Sequence, residues 1–198
     1  HPNIIVSSTG SAPLLPPIAG LKDRIDNENH NIYSILGMIS HINDFPKDLK
    51  GKKVVVVGGG AVGLDVVEFF ADRNADISIV EMMDQIGRDL DPVSKNDTKI
   101  MMKKHNVHQL TKTALLEVKD SSFLVKGDGE PYELPFEYGF VCLGMRAQGQ
   151  LYQNLTEEFS SEDVEIMNIG DSQRARRIID GTQEGRNILT ILEQKGYL

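Results

Sequence analysis

Three glycines at fixed spacing give the strongest indication of a ligand-binding site in this sequence. Gly58, Gly60 and Gly63 fit the pattern G-x-G-x-x-G. In this pattern the first glycine permits a tight turn, the second lets a diphosphate approach the backbone, and the third allows a helix to pack closely on a strand. Free N–H groups at the start of that helix hold the negative charge. The pattern therefore predicts a dinucleotide site in which the diphosphate rests on the glycines and on Ala61 and Val62.

An acid at the end of the next apolar run points to the kind of dinucleotide. Glu81 follows Gly58 by 23 positions, near the ~20 expected for the residue that binds the adenosine ribose. A carboxylate accepts hydrogen bonds from both ribose hydroxyls of NAD and repels the 2′-phosphate of NADP. We therefore expect NAD(H). The alternative is a glycine-rich turn that serves only packing, with Glu81 a solvated acid at a strand end.

The residues around the glycines have the pattern of a strand–helix–strand unit. Residues 54–57 are all valine, and a run without polar alternation is typical of a strand buried on both faces of a parallel sheet. Residues 77–80 form a second apolar run that ends at Glu81. Between the two runs, apolar residues recur at helical spacing: Val62, Val66, Phe69 and Phe70. The sequence thus predicts one βαβ unit with the glycines at its first turn.

Further elements are predicted on both sides of this unit. Asp91 before Pro92 is typical of a helix start, and the helix is expected to end near Lys103 and Lys104. Short alternating stretches at 114–118 and 123–125 predict hairpins. Additional strands are predicted at 4–6, 107–110, 140–143 and 164–169. Weak helical spacing involves Ile32, Ile35, Leu36 and Ile39. Together these patterns predict an α/β chain, with a Rossmann-like domain built on a parallel sheet plus a β-meander.

A final helix is predicted over residues 177–194. Its expected apolar side consists of Ile178, Ile179, Ile188, Leu189, Ile191 and Leu192. Three arginines precede or begin it, namely Arg174, Arg176 and Arg177, although positive charge is unfavourable at a helix N-terminus. Either these arginines are solvated or they face an anionic cofactor or partner.

Composition excludes several classes of function. The chain has 198 residues and a net charge of −8, which argues against binding to nucleic acid or to an anionic membrane surface. No apolar run approaches the ~20 residues that span a bilayer, and no signal peptide is evident. Cys142 is the single cysteine, so the chain cannot form an internal disulfide or a cysteine-built metal site by itself. We expect a cytoplasmic protein.

No catalytic residue and no metal site is predicted within the chain. Cys142 lies in an apolar run without an adjacent cation or histidine, which favours a buried structural thiol. His105 and His108 straddle a predicted helix end and lack a carboxylate partner. The remaining histidines are scattered.

The beginning of the sequence suggests an excerpt of a longer polypeptide. The chain opens with His1, Pro2 and Asn3 and enters an apolar run directly, without an initiator methionine. The alternative is a processed mature terminus, but no signal peptide is visible.

Four segments in combination resemble one group of NADH:flavin oxidoreductases. They are the glycine loop with its helix, and the strings IVEMMDQIGRDLD (79–91), FVCLGMR (140–146) and IMNIGDSQRARRIIDGTQEGRNILTIL (166–192). They are similar to the C-terminal part of the 2-enoate reductase and 2,4-dienoyl-CoA reductase group. Those enzymes join a barrel related to old yellow enzyme to a pyridine-nucleotide-disulfide-reductase-like module, in which an NAD domain is inserted into an FAD domain.

This resemblance implies FAD contacts near both ends of the chain. Thr9 and Gly10 correspond to the A-T-G stretch where the chain leaves the FAD domain, with Ser8 in place of alanine. Gly170 and Asp171 correspond to the G-D stretch that contacts FAD after the chain re-enters it. The implied domains begin with residues 1–20, a partial FAD-domain strand that runs into a proline-rich linker with Pro13, Pro16 and Pro17. A Rossmann-like NAD(H)-binding domain follows at 21–147, and residues 148–198 are a partial FAD-domain segment with the C-terminal helix.

Two further positions follow from the resemblance. The backbone near Gly144 is implied to line the path to the nicotinamide, although Ala147 stands where the group usually has proline. Asp65 occupies a position often held by a glutamate near the nicotinamide, which leaves its role open.

The resemblance also implies partners that this sequence does not contain. No second G-x-G-x-x-G for FAD occurs in it, so the missing FAD-domain half and the reductase barrel are the expected partners. FMN and an iron–sulfur cluster are implied only for the full-length enzyme. The predicted function is the NAD(H)-binding portion of an enzyme that passes hydride from NADH to FAD and onward to an enoate-type C=C bond, with the fragment inactive alone. The alternative is a non-catalytic NAD(H)-binding or docking module.

Overall fold

The structure, a computed structural model, describes residues 2–197. The described strands are β1 (Ile4–Ser7), β2 (Ser11–Pro13), β3 (Ile32–Tyr33), β4 (Lys53–Val57), β5 (Asp76–Val80), β6 (His108–Leu110), β7 (Ala114–Val118), β8 (Ser122–Lys126), β9 (Tyr132–Pro135), β10 (Tyr138–Val141), β11 (Met145–Ala147) and β12 (Glu165–Asn168). The described α-helices are α1 (Leu21–Arg24), α2 (Ile35–Ser40), α3 (Ala61–Ala71), α4 (Pro92–Lys104), α5 (Gln150–Glu158) and α6 (Ile178–Gln194). A 3₁₀ turn covers Gly170–Ser172.

The chain divides into two compact units. One unit comprises Pro13–Gly144, and the other comprises the residues up to Ala12 together with those from Met145 onward.

A five-stranded parallel sheet forms the centre of the unit at 13–144. Its strand order is β3-β10-β4-β5-β6, and β4 pairs in parallel with both β5 and β10. The valines of β4 alternate between two hydrophobic cores. Val54 and Val56 belong to the core on the side of α3, whereas Val55 and Val57 belong to the core on the other side. The prediction of a strand buried on both faces is confirmed, and with it the α/β, Rossmann-like fold class.

The second core lies between this sheet and an antiparallel sheet. The latter has the order β7-β8-β9 and buries Phe123 and Val125 completely. The stretches predicted as hairpins form these strands, so the β-meander is confirmed.

One predicted helical position is wrong. Ile32 lies in β3, where it is paired with Gly139 of β10 and is fully buried. The helix starts later, because Ser34 caps α2 by accepting a hydrogen bond from Gly37 N at 3.1 Å. The spacing of the isoleucines did not show where this cap would fall.

The other unit contains a two-stranded parallel sheet, β1-β12, with α5 and α6. Helix α6 forms where the sequence predicts it, but part of its expected apolar side is exposed. Ile178, Ile179 and Leu189 are 90%, 56% and 60% exposed. These side chains follow the periodicity of an amphipathic helix, yet more than half of each remains exposed.

Within residues 2–197, no helix combines the length and the apolar character needed to cross a bilayer.

Candidate functional site

Two of the three glycines are required by the packing of the protein itself. Gly58 follows β4 with φ +110°, and a Cβ there would lie 2.1 Å from the carbonyl oxygen of Cys142. A Cβ on Gly63 would lie 1.9 Å from the carbonyl oxygen of Gly58. These distances are far below van der Waals contact. Gly58 thus makes the turn, and Gly63 lets α3 pack on the strand end, as the pattern predicts.

Gly60 is different, because nothing in the protein requires a glycine there. Its φ of −78° and ψ of −178° suit any residue, and a Cβ at this position would have no atom within 4 Å. The space beside Gly60 is therefore left free by the fold. This is the arrangement expected if a ligand, rather than the protein, approaches the backbone at this point.

The first turn of α3 offers unpaired N–H donors to that space. Gly60 is the N-cap and supplies no side-chain hydrogen bond. The first hydrogen bond that closes a helical turn is Leu64 N to the carbonyl oxygen of Gly60, at 3.0 Å. The N–H groups of Ala61, Val62 and Gly63 precede it and have no partner within the helix. Together with the helix dipole, they favour an anion at this end.

Glu81 lies directly beside the glycine loop. It follows β5, which is parallel to β4, so the carboxyl ends of both strands meet at one edge of the sheet. Its Oε2 accepts a hydrogen bond from Gly59 N at 2.6 Å, and its Oε1 accepts one from Met83 N at 2.7 Å. The half-buried carboxylate is therefore held in place by two main-chain donors, one in the glycine loop and one just after Glu81 itself.

A cavity of about 590 Å³ opens over these groups, within the size range of small-molecule sites. Six of the predicted residues line it: Gly58, Gly60, Ala61, Val62, Glu81 and Gly144. Its other lining residues are mainly apolar: Leu14, Pro16, Ile18, Val57, Val80, Met82, Thr113, Ala114, Leu115, Cys142 and Leu143. No lysine or arginine lines it. Negative charge in the cavity would therefore be balanced by main-chain N–H groups.

Gly144 lies at the end of this cavity that follows β10. Its φ is +107°, a Cβ there would meet nothing within 4 Å, and its carbonyl oxygen accepts a hydrogen bond from Leu14 N at 2.9 Å. This bond ties the proline-rich stretch to the cavity wall. The sequence predicted only a linker in this stretch, and it did not predict that Leu14, Pro16 and Ile18 would line the cavity. Apolar residues interspersed with prolines were the only available signal.

The structure does not bring Asp65 into the same cavity. Asp65 lines a separate cavity of about 360 Å³, together with residues of α3 and α4 that include Glu68, Ser94 and Asp97. Partial burial raises the pKa of Asp65 above its usual value. The implied role beside a nicotinamide remains a prediction.

The residues implied to contact FAD lie in the other unit, at the carboxyl ends of β1 and β12. These strands pair in parallel from Ile4–Glu165 to Ser7–Asn168. Thr9 Oγ1 donates to the carbonyl oxygen of Gln148 at 2.6 Å, and the carbonyl oxygen of Gly10 accepts from Gln148 N at 2.9 Å. The first of the two implied segments is thus ordered by main-chain partners.

The second segment is anchored by hydrogen bonds that involve side chains. Asp171 accepts hydrogen bonds from Ser11 Oγ and from Arg176 N, both at 3.1 Å. Gly170 N donates to Glu184 Oε2 at 2.7 Å, and this bond is the largest cause of the lowered pKa of Glu184. Arg176 also pairs with Glu184 at 2.5 Å. At least one arginine of the basic cluster is therefore partnered within the chain.

Cys142 is shielded from reaction. Burial, with a smaller contribution from the charge of Asp65, raises the pKa of its thiol to about 12. Since the thiolate is the nucleophilic form, this environment is that of a structural cysteine. Among residues 2–197, no cluster of histidine, cysteine and carboxylate side chains has the arrangement of a metal site.

Comparisons with known proteins relate the chain to oxidoreductases. A family model described as pyridine nucleotide-disulphide oxidoreductase matches residues 3–168. The NADH oxidase of Thermoanaerobacter brockii is 25% identical over 185 residues, which are 93% of this chain and 27% of that protein. The metal reductase of Desulforamulus reducens is also 25% identical, over 93% of this chain and 30% of its own length.

A solved structure agrees at the level of the fold. 2-Naphthoyl-CoA reductase in complex with 2-naphthoyl-CoA superposes with a TM-score of 0.74 at 20% identity, over 92% of this chain and 26% of that one. This chain therefore spans less than a third of the length of the three proteins it is compared with.

Proposed function

The chain belongs to the pyridine nucleotide-disulphide oxidoreductase family, and from that premise we propose that it is the NAD(H)-binding part of a larger flavin-dependent oxidoreductase. Members of this family are oxidoreductases that bind NAD(P)H and FAD. The proposal goes further in three respects: the preference for NADH, the residues that bind it, and the dependence of the chain on further polypeptide.

The observation that carries the proposal is the open space at Gly60. A Cβ there would touch no protein atom, while the first turn of α3 presents unpaired N–H groups and Glu81 stands at the neighbouring strand end. A diphosphate fits this combination because it needs donors and close approach to the backbone, without a cation in the wall. The residues present therefore suit a pyridine dinucleotide.

The residues of the chain then have distinct tasks. The backbone N–H groups of Ala61, Val62 and Gly63 hold the diphosphate. Glu81 accepts hydrogen bonds from the adenosine ribose and disfavours a 2′-phosphate by charge repulsion. The apolar wall that includes Leu14 and Leu143 excludes water from the end of the cavity at Gly144. The bound cofactors supply the chemistry, which is hydride transfer from the reduced nicotinamide to the flavin.

We assign the FAD contacts to Thr9, Gly10, Gly170 and Asp171. Gly10 supports this assignment, since its φ is +77° and a Cβ there would meet nothing within 4 Å. The missing half of an FAD domain and a reductase barrel would be the partners in the complete protein. FMN, an iron–sulfur cluster and reduction of an enoate-type C=C bond belong to that complete protein, and their support is the sequence resemblance alone. The metal reductase and 2-naphthoyl-CoA reductase are named for different acceptors, which supports an acceptor chosen outside this segment.

Titration calorimetry tests the binding site. We expect the chain to bind NADH at least about ten-fold more tightly than NADPH, which corresponds to about 1.4 kcal/mol. Gly60→Val should abolish NADH binding without unfolding the chain, because the branched side chain occupies the space for the diphosphate. Equal affinity of a folded Gly60→Val variant would refute the site, and equal affinity for NADPH would refute the preference.

Gly129→Val is the matched control. A Cβ on Gly129 would also meet nothing within 4 Å, but this glycine lies in the turn between β8 and β9 and does not line the cavity. It should bind NADH as the parent does. Bleaching of added FAD by NADH separately tests redox turnover, and we expect none from this chain alone.

A further inference from the structure

Glu81 accepts two hydrogen bonds from main-chain N–H groups. Oε2 accepts from Gly59 N at 2.6 Å and Oε1 accepts from Met83 N at 2.7 Å. A carboxylate oxygen has more than one lone pair, so these bonds leave acceptor capacity for a ribose. They also bond the carboxylate to the main chain of the glycine loop.

The peptide groups of Gly59 are held on both sides. The N–H donates to Glu81, and the carbonyl oxygen accepts from Gly87 N at 2.7 Å. A Cβ on Gly59 would lie 3.0 Å from Glu81 Oε2 and 3.2 Å from Glu81 Cβ, so the side chain of Glu81 lies against this residue. Gly59 immediately precedes the N-cap Gly60. Its orientation therefore sets the direction in which the chain enters α3.

From this arrangement we propose that Glu81 is a positioning residue for the diphosphate site as well as a ligand of the ribose. Its carboxylate holds the Gly59 peptide so that the N–H groups of the first turn of α3 face the cavity. The entropy of ordering the loop is then lost on folding rather than on binding, which increases affinity. This inference rests on the proposed function and adds a second role for the same side chain.

Two nucleotides that differ only in the ribose separate the two roles. ADP carries the ribose hydroxyls, whereas 2′,3′-dideoxy-ADP lacks both of them and keeps the diphosphate. If Glu81 acted through the hydroxyls alone, Glu81→Ala would weaken the binding of ADP and leave the binding of dideoxy-ADP unchanged. If Glu81 positions the loop, Glu81→Ala weakens the binding of both nucleotides. We expect the affinity for dideoxy-ADP to fall about five-fold or more and the affinity for ADP to fall further.

Two further variants sharpen the comparison. Gly59 N and Met83 N bond different oxygens of Glu81. Glu81→Gln replaces one of these oxygens by an NH₂ group that only donates, so it keeps one of the two bonds. Its dideoxy-ADP affinity should therefore fall between those of the parent and Glu81→Ala. Asp84 is exposed and lies on the same loop as Glu81. Asp84→Ala removes the same charge without removing a hydrogen bond to the glycine loop. It should bind both nucleotides like the parent, which separates positioning from a general electrostatic effect.

Amide exchange measured by NMR provides a readout without ligand. The Gly59 N–H should exchange slowly in the parent and faster in Glu81→Ala. The Gly58 N–H, which donates to the carbonyl oxygen of Val80 at 2.8 Å, serves as the internal control for a folded loop. Unchanged exchange at Gly59, or unchanged or tighter binding of dideoxy-ADP by Glu81→Ala, would overturn the inference. Failure of the parent to bind ADP would instead refute the proposed function.

Discussion

Helices α3 and α4 both follow the parallel strands of one sheet, but their N-termini are completed in opposite ways. At α4 the N-cap Asp91 accepts hydrogen bonds from Val93 N at 3.0 Å and Ser94 N at 3.1 Å through one oxygen. At α3 the N-cap is Gly60, which has no side chain to do so. One helix satisfies its own donors, and the other leaves them available.

This difference shows how a protein keeps a binding site open. An uncapped helix start is less stable than a capped one, so an open N-terminus is a cost unless a ligand uses it. At α4, Pro92 in the first turn also removes one donor. The two ends thus contrast a structural helix start with a functional one, and the following changes test that contrast.

The largest effect is expected when the cap of α4 is transferred to α3. In Gly60→Asp, the new carboxylate should accept hydrogen bonds from Val62 N and Gly63 N, in the way that Asp91 serves Val93 and Ser94. NADH affinity should fall about 100-fold or more, because the donors are used and the charge repels the diphosphate. Calorimetry measures the loss, and thermal unfolding should show a variant at least as stable as the parent.

The reciprocal change Asp91→Gly is the control for that transfer. It opens the start of α4, but no glycine turn or ribose-binding acid accompanies this helix. NADH binding should stay within about two-fold of the parent. NADH affinity retained by Gly60→Asp, or lost by Asp91→Gly, would contradict the contrast between the two ends.

A smaller effect on stability is expected from Asp91→Ala. Removal of the cap should lower the Tm by a few degrees. NADH affinity should not change, since Asp91 does not line the cavity over Gly60. Thermal unfolding followed by circular dichroism measures the change. A Tm equal to that of the parent would mean that the cap does not contribute to stability.

The same cap should make stability depend on pH. Hydrogen bonds, first that from the Ser94 side chain, hold the pKa of Asp91 below its ordinary value of 3.8. A carboxyl group with a lowered folded-state pKa stabilises the protein fully above its unfolded pKa, and that contribution disappears as the pH falls through the folded-state pKa. The Tm difference between parent and Asp91→Ala should therefore be constant from pH 6 to about pH 5 and shrink below about pH 4. A difference that grows on acidification would contradict this assignment.

The smallest effect, that of NADH on thiol modification, is expected at Cys142, which lines the cavity over the first turn of α3. Cys142 is 8% exposed, and burial raises its pKa to about 12. Iodoacetamide at pH 8 should therefore modify it slowly in the folded chain and much faster in denaturant, and saturating NADH should change the folded rate little. Rapid modification of the folded chain would contradict the burial of Cys142 beside the first turn of α3.

The three glycines show how far sequence reasoning extended. Their spacing predicted the turn at Gly58 and the close packing at Gly63, because both roles are local consequences of missing side chains. The role of Gly60 depends on empty space around it, and residues from distant parts of the chain create that space. Glu81 was likewise found from its distance along the sequence, whereas its bonds to Gly59 and Met83 became evident only in three dimensions.

Positions governed by distant contacts were the least predictable. Ile32 fits a helical spacing but joins a parallel strand, since Gly139 supplies its neighbour from more than a hundred residues away. Leu14 and Ile18 resemble a linker but form a cavity wall. Ile178 fits an amphipathic helix, yet 90% of it is exposed, because periodicity defines an apolar face without specifying what covers it.

The amino-acid sequence alone determined the βαβ unit, the order of its strands in the chain and the places of the glycines and the acid, because hydrophobic periodicity and turn residues act over short distances. Only the tertiary structure decided that the first turn of α3 opens into a cavity, that Glu81 is bonded to the loop it accompanies, and that Asp65 faces another cavity. These properties depend on packing between segments far apart in sequence, which a local pattern does not specify.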